Sequence, residues 1–376
     1  MTSALSIVLL AVMAGPQSKP SQPQKKTPPA PPKSTAPAAH VHLYTGKYDA
    51  ARGIAKERNV PILIHIVLEG EAQNDEYRDK ILPDRDLVAA CANVIVIVAN
   101  NGKHEKKTIE ETVDGKPVKR EVCAAYGVDS CTVHQRFWDD VYREFKEENG
   151  ELLCPQLVLL APDGKIARRI NTRSVPAATE VLAAIKDAQA KAGPGLTDAE
   201  LAQVKQLMQE GRVLTAAKSW PDALRAWQKL LAITPKGMWA DEAQKSVPVV
   251  QAGLDSELAR ISALLVPGKA ADGYRELLEF TKQCAGLPIE KEAKSRLAKA
   301  ELTKEIKDEI AAYKLDQEAD ALLTEARGCF DAKQDKKGEH TVRRLLGKRY
   351  VSTPAAAKAR ELWPDWAKEE DAKVKK

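Results

Sequence analysis

Two apolar runs limit what this chain can fold into more than anything else in it. "PILIHIV" (residues 61–67) and "NVIVIVA" (93–99) are apolar at successive positions rather than alternate ones, as expected of strands buried on both faces of a sheet. Helical patterns fit Tyr48 to Arg58 before the first run, and Asp75 to Lys80 and Asp86 to Cys91 between the two. Helix, strand, helix, strand implies a parallel pair joined by a crossover. A third run, "PQLVLL", leads into "APDGK" and then "KIARRI". Pro162, Asp163 and Gly164 preset a tight reversal, so two antiparallel strands are expected there. "PAATEVLAAIKDAQAKAG" has apolar residues at helical spacing and closes the unit near Gly193.

In this order, "KERNVPILIHIV", the distant "CPQLVLLAPDGK" and the terminal amphipathic helix resemble the thioredoxin-like family over residues 42–193. The resemblance implies an α/β domain with a central mixed sheet flanked by helices. It also makes Pro155 the match to the family's cis-proline, which faces the redox site. The family's activity needs Cys-x-x-Cys just after the first central strand, where a helix N-terminus acidifies one thiol. This chain has "LEGEAQNDEY" there, with Glu71 and Asn74 at approximately the two cysteine positions. Neither residue can form a disulfide, so no thioredoxin-type reductant is expected. Cys154 would lie beside this cleft, and a lone thiol entering an apolar strand reads first as a small packed hydrophobe.

Residues 102–150 are an insertion. "GKHEKKTIEETVDGKPVKREV" alternates polar and apolar residues on both sides of Asp114 and Gly115, which predicts a charged hairpin. The helix that follows places Phe137, Val141 and Phe145 on one face, with Thr132 and Gln135 in capping-box register. His104, Cys123, Cys131 and His134 offer two thiolates and two imidazoles, a donor set that zinc accepts. Cys131 and His134 are three residues apart at a helix start and can point the same way, although the cysteine spacing is not that of a zinc finger. Three other readings stay open. In an oxidising compartment Cys123 and Cys131 could form a disulfide; Cys131 with Cys154 or Cys123 could act as a noncanonical thiol-disulfide oxidoreductase; or the thiols are unpaired and the histidines superficial. His65, inside an apolar strand, reads as a satisfied core histidine.

The remaining chain concerns location and partners. "MTSALSIVLLAVMAG" has an apolar run ending in small residues, with Val12 and Ala14 where a signal peptidase reads them, so residues 1–14 are expected to be a signal peptide. Residues 15–41 are rich in Pro, Ala, Ser and Lys and predict a disordered linker. The net charge is +5, and Lys19, Lys25, Lys26 and Lys33 account for nearly all of it. The near-neutral remainder gives no reason to invoke nucleic acid. "AGPGL" breaks the chain at 192–196, and only helices are expected over 194–376, the first capped by Thr197 and Glu200. Arg212, Lys218 and Leu230-Leu231 recur at one offset as Arg327, Lys333 and Leu345-Leu346. This all-α helical-hairpin domain resembles degenerate tetratricopeptide-type repeats, which implies a groove for a protein or peptide. Trp220, Trp227 and Trp239 are expected either to line that groove or to fill the core between helices; Cys284 and Cys329 are isolated. No serine triad, phosphate loop or carboxylate pair stands out. The sequence thus reads as an exported protein-binding or scaffolding module of the periplasm or extracellular space, with no membrane span left after signal cleavage.

Overall fold

The computed structural model describes residues 41–113, 115–171, 175–300 and 303–374. The signal peptide and nearly all of the linker expected from the sequence, and Asp114 at the hairpin turn, lie outside these residues. Among the described residues no helix is long and apolar enough to cross a membrane.

Four strands, β1 (Ile62–Val67), β2 (Ile95–Asn100), β5 (Gln156–Leu160) and β6 (Ile166–Asn171), make one mixed sheet in the order β2-β1-β5-β6. β1 and β2 are parallel, with Ile64 opposite Ile97. β5 runs antiparallel to β1, with Val158 opposite Ile64, and β6 runs antiparallel to β5. The chain enters along the β2 edge, where Leu43 bridges Val96. Continuous apolarity makes sense here because helices cover both faces. Ile62, Ile64, Ile66 and Val158 pack against α1 (Tyr48–Arg58) and α4 (Cys131–Phe145) through Ala51, Phe137 and Val141. Leu63, Val96 and Leu157 pack against α3 (Arg85–Ala90) and α5 (Ala178–Ala192) through Leu87, Val181 and Ile185. The period of two within each strand divides the residues between these two half-cores.

The crossover from β1 to β2 begins with α2 (Ala72–Glu76), which runs into a π-helical turn (Tyr77–Ile81) before α3. The insertion forms a separate two-stranded sheet of β3 (Lys106–Val113) and β4 (Lys116–Cys123), followed by α4. The capping box expected at α4 is absent. Ser130 occupies the N-cap without a side-chain bond to the helix, and the Gln135 amide instead donates to the Asn101 and Gly102 carbonyls.

From Asp198 onward the described chain is helical: α6 (Asp198–Ala216), α7 (Trp220–Ile233), α8 (Met238–Ser262), α9 (Ala270–Gln283), α10 (Ile289–Ala300), α11 (Lys304–Asp331), α12 (Asp335–Leu346), α13 (Pro354–Leu362) and α14 (Pro364–Val374). Thr197 and Glu200 form a reciprocal capping box on α6. The sequence echo corresponds to two hairpins, α6–α7 and α11–α12. Lys218 and Lys333 occupy equivalent turns, each left-handed with φ 58°, and Leu230, Leu345 and Leu346 are buried in the hairpin cores. Helix α6 meets α7 closely at Gly211, where an added Cβ would lie 2.7 Å from the Trp227 ring. The helical part contacts the end of α1: Leu196 and Arg58 share a backbone bond of 2.7 Å, Lys205 pairs with Glu57, and the Trp239 indole donates to the Glu57 carbonyl at 2.8 Å.

Candidate metal centre

Three local structures meet at the outer end of β2. The strand leads into a turn carrying His104, β4 delivers Cys123 at its last residue, and α4 opens with Cys131 and, on the same face, His134. The ligand atoms of these four residues all lie within 4.8 Å of one another. Cys123 Sγ is 3.5 Å from His104 Nδ1 and 3.8 Å from His134 Nε2, and Cys131 Sγ is 3.8 Å from His104 Nδ1. Metal–sulfur bonds of about 2.3 Å and metal–nitrogen bonds of about 2.0–2.1 Å, at a tetrahedral angle, place sulfur and nitrogen about 3.6 Å apart. The donor set therefore has the spacing of a four-coordinate site.

The other nitrogen of each imidazole is held from behind. His104 Nε2 lies 3.0 Å from the Glu69 carboxylate, and His134 Nδ1 lies 2.9 Å from the Asn100 carbonyl. Such partners fix the tautomer and turn the metal-facing nitrogen into an acceptor. Asn100 also donates to Glu69 and to the Tyr126 hydroxyl, and the Tyr126 ring packs edge-on against both imidazoles. Burial lowers the His134 pKa, which favours the neutral ligand form. Burial raises the Cys123 pKa, opposed by the Tyr126 and Ala125 backbone N–H groups that bond its sulfur. The His104 N–H bonds Cys131 Sγ at 3.2 Å. These residues could hold a metal ion, and with all four positions supplied by protein the site would be closed. Glu69 was not picked out from the sequence; its one visible signal is an acid immediately after β1. Replacing Glu69 by Gln is expected to weaken metal binding about 10- to 100-fold, measured by competition with a chromophoric chelator. Unchanged affinity would remove Glu69 from the site.

The cleft of the thioredoxin resemblance is a separate place. Glu71 sits at the N-cap of α2 and Asn74 lies within its first turn, where the Asn74 amide donates to the Leu68 carbonyl. The Cys154–Pro155 peptide is cis, and Pro155 lines a small cavity with His65, Gln73, Tyr77 and Gln156. Cys154 is half-buried and outside the metal-ligand group. Burial and the Glu71 charge push its thiol up to about 12, so it is protonated at neutral pH. Its sulfur has no disulfide partner, and all six cysteines are free.

His65 departs from the sequence reading in one respect: it is buried, but neither ring nitrogen has a hydrogen-bond partner. Its neighbours across the sheet are Val98 and Leu157, and the Tyr77 ring lies 3.8 Å away. Burial lowers its pKa to about 3. The unfolded chain then binds a proton near pH 6.5 that the folded chain refuses until about pH 3. Stability is complete above that upper value and is lost at roughly 1.4 kcal/mol per pH unit as the pH falls through the window. His65→Leu is expected to remove this slope, read as the difference between variant and parent urea midpoints at pH 6 and pH 4. Parallel pH dependences would show that His65 is not buried neutral.

No family model matches the sequence, and no curated protein matches it. Among solved structures, the chain is similar to one described as "DsbH Oxidoreductase". That chain is 15% identical, with the match covering 42% of this chain and 94% of the other at a TM-score of 0.26.

Proposed function

We propose that this chain is an exported thioredoxin-like protein without a redox pair, whose insertion is fastened by a zinc ion and whose helical part receives a protein or peptide partner. The observation that carries the reading is the His104, Cys123, Cys131 and His134 group, with its ligand atoms within 4.8 Å of one another. Two soft sulfurs and two imidazoles suit zinc better than oxygen-seeking calcium or magnesium. Zinc bound there would supply a crosslink rather than a reaction, because no ligand position remains open for water or substrate. Glu71 and Asn74 at the start of α2 support the loss of redox activity, since the helix N-terminus that would acidify a thiol carries a carboxylate and an amide instead.

The helical part supports the partner-binding half of the reading. Trp227 is core and Trp239 contacts Glu57, whereas Trp220 borders an open cleft of about 770 Å³ with Phe280, Arg225, Arg260, Glu257 and Glu276. An aromatic floor with charges of both signs around it suits an amphipathic peptide better than a uniformly charged ligand. Export rests on residues 1–14 and is tested by whether the mature protein begins at Gly15.

The deciding experiment combines two measurements on the purified full chain. Elemental analysis after dialysis is expected to give one zinc per chain. Dithiothreitol-driven insulin reduction is expected to proceed at the uncatalysed rate. A metal-free protein that accelerates insulin reduction through Cys131 would replace this proposal with the oxidoreductase alternative.

A further inference from the structure

We propose that the zinc site is also a redox switch, in which a peroxide oxidises Cys123 and Cys131 to a disulfide and the site thereby gives up its metal. This rests on the zinc reading above and adds a regulation to it. Both sulfurs belong to one cluster whose ligand atoms lie within 4.8 Å of one another, so bonding them at about 2.05 Å needs a shift of at most about 3 Å, within reach of side-chain rotation. The two cysteines are not equally sheltered: Cys123 is 1% exposed, whereas Cys131 is half-buried at the start of α4. An open cleft of about 1050 Å³ reaches the cluster, bordered by His104, Glu69, Ala124 and Tyr126. A molecule as small as hydrogen peroxide can enter it.

The chemistry closes with peroxide as the only co-reactant. The Cys131 thiolate attacks one peroxide oxygen, the O–O bond breaks, and the departing hydroxide takes a solvent proton to become water. Cys131 is left as a sulfenic acid. The Cys123 thiolate then attacks that sulfur, the S–O bond breaks, and a second hydroxide leaves and is protonated to water. Two thiolates have lost two electrons, one peroxide has become two waters, and one S–S bond has formed. The site keeps only two imidazoles, which remain held by Glu69 and the Asn100 carbonyl. Loss of both anionic ligands leaves a neutral pair that competes poorly with water for the ion.

Selectivity follows from the rest of the cysteine inventory. Burial pushes the thiols of Cys91 and Cys154 up to about 12 and that of Cys284 up to about 11, and Cys329 is buried. Protonated or enclosed thiols react slowly with peroxide. Cys131, half-buried rather than enclosed, is therefore the thiol expected to respond first, with Cys123 following by attack on its sulfenic acid.

The test uses the reduced, zinc-loaded full chain titrated with hydrogen peroxide. Released zinc is read with a chromophoric chelator, thiols are counted in denaturant, and disulfides are mapped by peptide mass spectrometry. The expected result is one zinc released for every two thiols lost, a Cys123–Cys131 linked peptide, and recovery of zinc binding after dithiothreitol. Cys154→Ser, which lies outside the ligand group, is expected to bind zinc and to release it at the parent's stoichiometry. Zinc retained while thiols disappear, a linkage through Cys154, or zinc held by Cys154→Ser through the titration would each overturn the switch and leave the zinc site standing. A reduced chain that takes up no zinc would overturn both.

Discussion

Stripping zinc with a tight chelator is expected to cost the folded protein about 4 kcal/mol when the metal had been present at roughly a thousand times its dissociation constant. The loss should fall on the insertion first. Residues Lys116–Glu121 of β4 are exposed and only Val122 and Cys123 are buried, so the hairpin contributes little apolar burial of its own. An isolated two-stranded ribbon is marginal in water. Its attachment includes the cluster at its base, the Ala124 N–H bond to the Glu105 carbonyl, the Cys123 N–H bond to the Val128 carbonyl and the exposed Arg120–Asp129 ion pair. Amide exchange across Lys106–Cys123 should therefore accelerate on chelation while β1 and β5 stay protected. Cys123→Ser should exchange rapidly from the start and show no response to chelator. Equal exchange with and without metal would mean that the cluster does not hold the insertion.

Trp227→Ala should destabilise the helical part by about 3–5 kcal/mol. The indole is 1% exposed and is a member of the core shared by α6, α7 and α8. Its N–H donates to Thr215 Oγ at 3.2 Å, and its ring lies against Gly211 with no room for a methyl group. Truncation leaves a cavity and an unpaired hydroxyl acceptor, two costs that add. Gly211→Ala approaches the same contact from the other side and should cost about 1–3 kcal/mol by overpacking. Both are read by urea unfolding followed through helical circular dichroism. A change under about 1 kcal/mol for Trp227→Ala would show that the hairpin does not depend on this contact.

The sheet was legible because its strands advertise themselves. Ile62 to Val67, His65 apart, and Val94 to Ala99 are continuously apolar, as a doubly covered sheet requires. The turn at Pro162 to Gly164 carries its own chemistry, and Gly164 has the φ of 83° that such a reversal favours. The metal group was legible only as a list of residue types. Its members come from a turn, a strand end and a helix start, so their proximity depends on where β2, β4 and α4 meet rather than on a sequence interval. Glu69 was hidden for the same reason, being thirty-five residues from the imidazole it holds. At Thr132 and Gln135 the local rule lost to a tertiary one, because the Gln135 amide found the Asn101 and Gly102 carbonyls within reach. His65 was misjudged as satisfied because one strand cannot reveal that its neighbours across the sheet are Val98 and Leu157.

The hairpin has a use that follows from its anchorage at one end alone. Gly115, at the far end between β3 and β4, has a φ of 76° and nothing within 4 Å of where its Cβ would be. An epitope or fluorophore-binding peptide spliced in at that tip would extend into solvent and leave the ribbon's base undisturbed. The molecule thus carries a ready handle for immobilisation or single-molecule tracking, on the opposite end of the ribbon from the ion that would tether it.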